Sequence, residues 1–195
     1  MDDQYLTVTG EVAEGFYSEK RSRFLAFVHH VESEDEVKQY VATYRKKYFD
    51  ARHVCYAYVL GHQGERTRAN DDGEPAGSSG QPILRQLRSF GVTFTLVVVV
   101  RYYGGVNLGT GGLVVAYKTA AGDALAHATI EKRFVTSTFT ATVPYTEFDR
   151  AMRTLRAFDA EILAREYIAT ATILTITCRL SHEGELKQKL GVTSS

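Results

Sequence analysis

An α+β fold in two domains is predicted for this 195-residue chain, on three observations. Strand patterns alternate with helix patterns up to about Lys132. The segment after it carries a β-α-β-β-α order of its own. Composition is ordinary for globular protein, with 44% hydrophobic and 24% charged residues, which excludes disorder, collagen and low complexity. We place the domains at residues 1–132 and 133–195.

The opening reads as strands. Tyr5 to Val12 alternates loosely, and Arg23 to Val31 is apolar with β-branched and aromatic members. Ser33 and Glu36 form a capping box for a helix whose face is Val37, Tyr40, Val41, Tyr44 and Tyr48. His53 to Leu60 is a strand. Gly61 to Gly80 is nearly free of apolar side chains, so a long ordered loop or a looped hairpin is expected there. Pro82 suits the first turn of a short helix, Ile83 to Phe90, closed by Gly91. Val92 to Arg101 is almost continuously apolar and is expected to be a central strand covered on both faces. A Gly-rich turn, Tyr103 to Gly112, leads into a helix from about Leu113 to Ala126.

In the second domain Phe134 to Val143, Glu161 to Ile168 and Thr170 to Leu180 read as strands, with helices over Pro144 to Ala157 and Glu183 to Leu190. This order suggests a ferredoxin-like half-barrel whose last strand is short or missing.

Charge narrows the function. The chain holds 23 basic and 23 acidic side chains, so a polyanion can be bound only by a local patch. The two cysteines make no disulfide framework, and the longest apolar run is too short to cross a bilayer. The acidic opening Met1-Asp2-Asp3-Gln4 is unlike a leader, which leads us to expect a reduced, cytoplasmic protein with no membrane partner.

Three stretches are candidates for chemistry. Asp71, Asp72 and Glu74, followed by Gly77-Ser78-Ser79-Gly80, offer oxygen ligands to a hard cation or successive amides to an anion. They serve equally as a solvated turn, and the spacing is not the calcium loop, so no metal is assigned. Arg101-Tyr102-Tyr103-Gly104-Gly105 and Gly109-Thr110-Gly111-Gly112 follow a buried strand and open a helix, a geometry that suits phosphate. The pattern is neither a dinucleotide fingerprint nor a Walker loop, and its glycines could instead serve tight packing. Lys20, Arg21 and Arg23, with Arg101, Tyr102 and Tyr103, could grip phosphates and stack on bases if the fold unites them. His53 and Cys55 share a strand face, yet a buried cysteine acting as a small apolar residue explains them as well. No catalytic residue, metal or cofactor is assigned.

The stretches KRSRFLAF at 20–27, HVCYAYVLG at 53–61, DDGEPAGSSGQPIL at 71–84 and RYYGGVNLGTGGLVVAYKTA at 101–120 resemble the IMPACT/YigZ family. The resemblance implies a left-handed βαβ first domain, as in a small-ribosomal-subunit protein domain and the fourth domain of elongation factor G. It implies a second domain like the fifth domain of that factor. It also implies a link to translation: eukaryotic relatives restrain a translation-control kinase by binding its activator. The resemblance implies a basic residue near the position of Asn107 or of Val115, as in many members, and neither is basic here.

The leading expectation is an RNA- or ribosome-associated, translation-linked protein. In it Arg21, Arg23 and Arg101 meet phosphates, Tyr102 and Tyr103 stack, and Gly104, Gly105, Gly109, Thr110, Gly111 and Gly112 present amides. A small-molecule enzyme using the Gly-rich loop, with Asp71, Asp72 and Glu74 in support, is the alternative. A protein-interaction module is a third. The chain lacks a recognisable nucleophile and base, which argues against an enzyme.

Overall fold

The structure, a computed structural model, describes residues 3–192. It divides into two compact units: Tyr5–Arg133, and Phe134 onward together with Asp3 and Gln4. The opening residues therefore belong with the second unit, a departure from the sequence expectation. The cause is Asp3. Its carboxylate accepts from Arg179 Nη2 at 2.9 Å and from the Ser181 amide at 3.1 Å, and its carbonyl accepts from the Val135 amide at 2.7 Å. The Arg179 hydrogen bond, above all, holds the Asp3 carboxyl well below the usual carboxylate range.

The first unit is built on five antiparallel strands: β2 (Ala13–Glu19), β3 (Ser22–His30), β4 (His53–Leu60), β5 (Arg66–Asn70) and β6 (Thr95–Tyr102). Their spatial order is β2-β3-β6-β4-β5. Helix α1 (Glu34–Lys47) links β3 to β4, α2 (Gly80–Phe90) precedes β6, and α3 (Gly109–His127) follows it. A further pair, β1 (Gln4–Thr9) and β7 (Thr129–Phe134), forms a separate two-stranded sheet.

β6 is central and buried along its length up to Arg101. Because strand side chains alternate, Leu96, Val98 and Val100 join Val37, Val41 and Tyr44 of α1 in one apolar cluster. Val97 and Val99 join Ile83 and Leu87 of α2 and Ala116, Tyr117 and Ala120 of α3 in the other. Both faces of the strand are covered, as its apolar sequence predicts. Arg101 has the parity of Val97 and Val99, so it faces α2 and α3.

Local sequence explains the helix ends. The Glu36 amide donates to Ser33 Oγ at 3.2 Å, and the Glu36 carboxylate returns to the Glu32 amide at 2.9 Å, one residue before the cap. α2 closes at Gly91, whose φ of 66° is the left-handed conformation a helix stop requires.

Two differences from the sequence reading, and one alternative resolved, bear on function. β2 and β7 are strands that the pattern does not announce. Of the two alternatives for Gly61 to Gly80, the looped hairpin is the one formed, with β5 paired to β4. α3 starts four residues earlier than expected, at Gly109, so Gly109-Thr110-Gly111-Gly112 are the first turn of a helix and not a loop before it.

The second unit contains β8 (Thr136–Pro144), α4 (Phe148–Ala157), β9 (Glu161–Tyr167), β10 (Ala171–Arg179) and α5 (Glu183–Lys189). The sheet order is β8-β10-β9 with both pairings antiparallel. β8 and β9 thus run parallel with β10 between them, a split β-α-β unit. Inward side chains Phe139, Ala141, Val143, Leu174, Ile176 and Cys178 pack with Ala151, Leu155 and Leu186 of the helices. Gly191 and Val192 form no strand, and the rest of the expected short strand, 193–195, lies outside the described residues.

Candidate functional site

Strand register assembles the site. His53 of β4 and Phe24 of β3 both stand opposite Arg101 of β6, so these three share one row across the sheet. The chain segment after β5 brings Glu74 over that row. Arg101 is 6% exposed and the Glu74 side chain 2%. Arg101 Nη1 donates to Glu74 Oε1 at 2.7 Å, and the Tyr117 hydroxyl of α3 donates to the same oxygen at 2.6 Å. A buried ion pair of this kind survives because hydrogen bonds offset the loss of water. Arg101 Nε is buried with no hydrogen-bond partner among the described residues, and the guanidinium lies 5.7 Å from the Phe24 ring centre.

His53 completes the cluster. Its Nδ1 lies 2.7 Å from the Asp72 carbonyl, which only a protonated Nδ1 can satisfy, and its Nε2 is 3.6 Å from Glu74 Oε2. Cys55, two residues on, is fully buried. Its Sγ donates to the Asp71 carbonyl at 3.1 Å, and burial pushes the thiol up to about 12. A thiol held there is not a nucleophile at neutral pH. Burial also raises the Tyr117 phenol, which remains a donor.

The row opens into a cleft of about 450 Å³ lined by Arg52, His53, Glu74, Arg101, Tyr103 and the start of α3 at Leu108 to Thr110. Among the described residues no side chain caps α3, and no acidic residue lies in its first turn. Its first amides are therefore unpaired at the mouth of the cleft, at the positive end of the helix dipole.

The sequence-predicted residues divide into groups. Arg101 is not an exposed phosphate contact: Nη1 is committed to Glu74, its Nε is buried, and the residue forms part of the cleft wall. Arg23 and Tyr102 face the α1 side of the sheet, opposite to Arg101, with Arg23 over the Tyr102 ring at 4.9 Å and the Tyr102 hydroxyl on Asp50 at 2.8 Å. Tyr103 lies in the cleft, its hydroxyl donating to Asn107 at 3.2 Å, with the Arg52 guanidinium 5.5 Å from its ring centre. Gly104 is not an anion donor, because its amide donates to Ser22 Oγ at 3.0 Å. A Cβ on Gly104 would stand 2.2 Å from the Arg21 carbonyl carbon, so this glycine lets the Gly-rich turn rest on the β2–β3 turn and brings Arg21 beside Gly105.

The acidic loop has a structural solution. Asp71 accepts from the amides of Gly77, Ser79 and Gly80 at 2.9, 3.2 and 2.8 Å and from Ser79 Oγ at 2.8 Å. Burial opposes its charge, but these donors prevail and hold its carboxyl below the ordinary value. The nest expected over Gly77 to Gly80 exists, and Asp71 fills it. Asp72 accepts from Arg45 at 2.6 Å and from the Val54 amide at 2.8 Å, while Ser78 Oγ donates to the Pro75 carbonyl at 2.6 Å. Among the described residues no group of three His, Cys, Asp or Glu side chains is placed to hold a metal ion.

Sequence reading missed Arg52 and Tyr117, and joined His53 to Cys55 instead of Glu74. A signal was present: a glutamate in a loop that also contacts a buried strand needs a cation, and Arg101 is the charge that ends that strand.

The family model for the Impact N-terminal domain matches residues 20–125, more than half of the chain. The chain belongs to the IMPACT family. The IMPACT family member YigZ of Escherichia coli is 35% identical over 88% of this chain and 84% of its own. YvyE of Bacillus subtilis is 33% identical over 75% and 67%. A solved crystal structure of a hypothetical protein matches with a TM-score of 0.72 and 32% identity, covering 98% of this chain and 93% of that one. The Impact N-terminal match contains His53, Glu74, Arg101, Tyr117 and the first turn of α3. No helix among the described residues is long and apolar enough to cross a membrane.

Proposed function

We propose that the first unit is a phosphate-binding module that takes up RNA and serves translation. One observation carries the reading: the uncapped first turn of α3 opens into a cleft whose wall includes a buried arginine with an unpartnered Nε. Unpaired amides, the helix dipole and guanidinium donors together favour a tetrahedral anion. Arg52 at the cleft and Arg21 beside the Gly-rich turn supply further charge. The choice of RNA and of translation comes from the family resemblance, which is analogy at the level of fold.

The test is binding of a labelled single-stranded RNA across a salt series. With two or three phosphates neutralised, log affinity falls with log salt at a slope of about −1.4 to −2.1. Arg52→Ala should weaken binding and flatten that slope by about 0.7. An affinity that is flat across about 50 to 200 mM salt, or no binding at all, overturns the proposal.

A further inference from the structure

The cleft offers acceptors as well as donors, and they are grouped. Glu74 Oε1 already takes two hydrogen bonds, from Arg101 and Tyr117. Among the described residues its Oε2 takes no hydrogen bond, and His53 Nε2 lies 3.6 Å away, too far for one. The His53 Nδ1 proton is committed to the Asp72 carbonyl, so in the neutral ring Nε2 is a second acceptor. Both atoms belong to residues that line the same cleft as the α3 amides and Arg52.

A ligand with phosphate oxygens alone would cover Glu74 Oε2 and shut it from water without giving it a donor, which is costly for a carboxylate. An ammonium ligand is disfavoured by Arg52, Arg101 and the helix dipole. The remaining chemistry is a phosphate with a hydroxyl close by. At about 450 Å³ the cleft is within the range that holds one sugar phosphate.

We infer that Glu74 Oε2, flanked by His53, receives the ribose 2′-hydroxyl of the nucleotide whose phosphate sits at α3, and so selects RNA over DNA. This rests on the phosphate reading above and adds to it a residue that reads the sugar. The 2′-hydroxyl is the group by which a protein distinguishes the two polymers at a single nucleotide.

The full chain is titrated with RNA, DNA and 2′-O-methyl RNA of one sequence at one salt concentration. The three carry equal charge, so differences report the sugar. RNA should bind about tenfold or more tightly than DNA, the range of a hydrogen bond to a charged acceptor. 2′-O-methyl RNA should bind no better than DNA, since its oxygen has no proton to give. In Glu74→Gln the amide oxygen keeps Arg101 and Tyr117 while the amide nitrogen replaces the free oxygen and turns its donor to the neighbouring His53 Nε2, so the 2′-hydroxyl loses its acceptor and the RNA-to-DNA ratio should fall toward one. Equal affinity of the unaltered protein for RNA and DNA overturns the inference and leaves the phosphate site standing. So does a ratio that persists in folded Glu74→Gln. Failure of all three polymers to bind overturns the phosphate reading itself. Adenosine 3′-monophosphate and its 2′-deoxy form serve as competitors, to separate a strand from a free nucleotide. Stronger competition by the ribo form extends the hydroxyl contact to mononucleotides, and equal competition by both counts against it.

Discussion

Two helices of the first unit begin in Gly-rich turns, and they end up in opposite states. At α2 the amides of Gly77, Ser79 and Gly80 converge on the carboxylate of Asp71. At α3 the amides of the first turn meet no acceptor side chain among the described residues, and the turn holds no acidic residue. The two ends share backbone chemistry and differ in whether the sequence supplies an anion. Asp71 therefore serves as an internal standard for what the α3 end lacks.

The largest expected effect comes from emptying the filled end. Asp71→Ala removes the acceptor of four hydrogen bonds and should cost about 3 kcal/mol in urea unfolding, the upper end for a hydrogen bond to a charged group, since the freed donors of this half-exposed loop regain water. Added phosphate should then raise the stability of the variant more than that of the parent, because the emptied nest binds it only when folded. A variant as stable as the parent would show that the nest is decorative.

A smaller effect comes from filling the open end. Thr110 is exposed in the first turn of α3. Thr110→Asp should stabilise the fold by about 0.3–1 kcal/mol through the dipole while weakening RNA binding several-fold. Thermal stability and affinity moving in the same direction would break the comparison.

The smallest effect is on pH. The folded Asp71 carboxyl titrates below its unfolded value, so its contribution is complete above the ordinary carboxylate pKa, near pH 4, and disappears as pH falls through the lowered folded value. The stability gap between the parent and Asp71→Asn should narrow over that acidic window. The α3 end, which has no first-turn carboxylate, contributes nothing there.

Much of the fold is legible because burial and pattern agree. The apolar run of β6 demands cover on both faces, and Ser33 with Glu36 announces α1 without tertiary help. β2 is hidden for physical reasons. Its outward row mixes Phe16 with Glu14 and Ser18 and its inward row includes Gly15 and Glu19, so neither face alternates cleanly, and its turn uses Lys20 and Arg21 at φ of 46° and 66°, where a reader expects Asn or Gly. The start of α3 is hidden because three glycines in its first four residues are poor helix formers, and tertiary packing overrides that preference. The candidate site was legible only as fragments. Residues 53, 74, 101 and 117 meet through strand register and one loop, which no local spacing encodes.

Gly104 has a mechanical consequence. With its amide on Ser22 and no space for a side chain against Arg21, the hairpin tip between β2 and β3 and the entrance to α3 form a single bracket. The guanidinium of Arg21 is thus mounted on the same piece as the helix opening, and lengthening that tip by even one residue would carry the positive charge away from that opening.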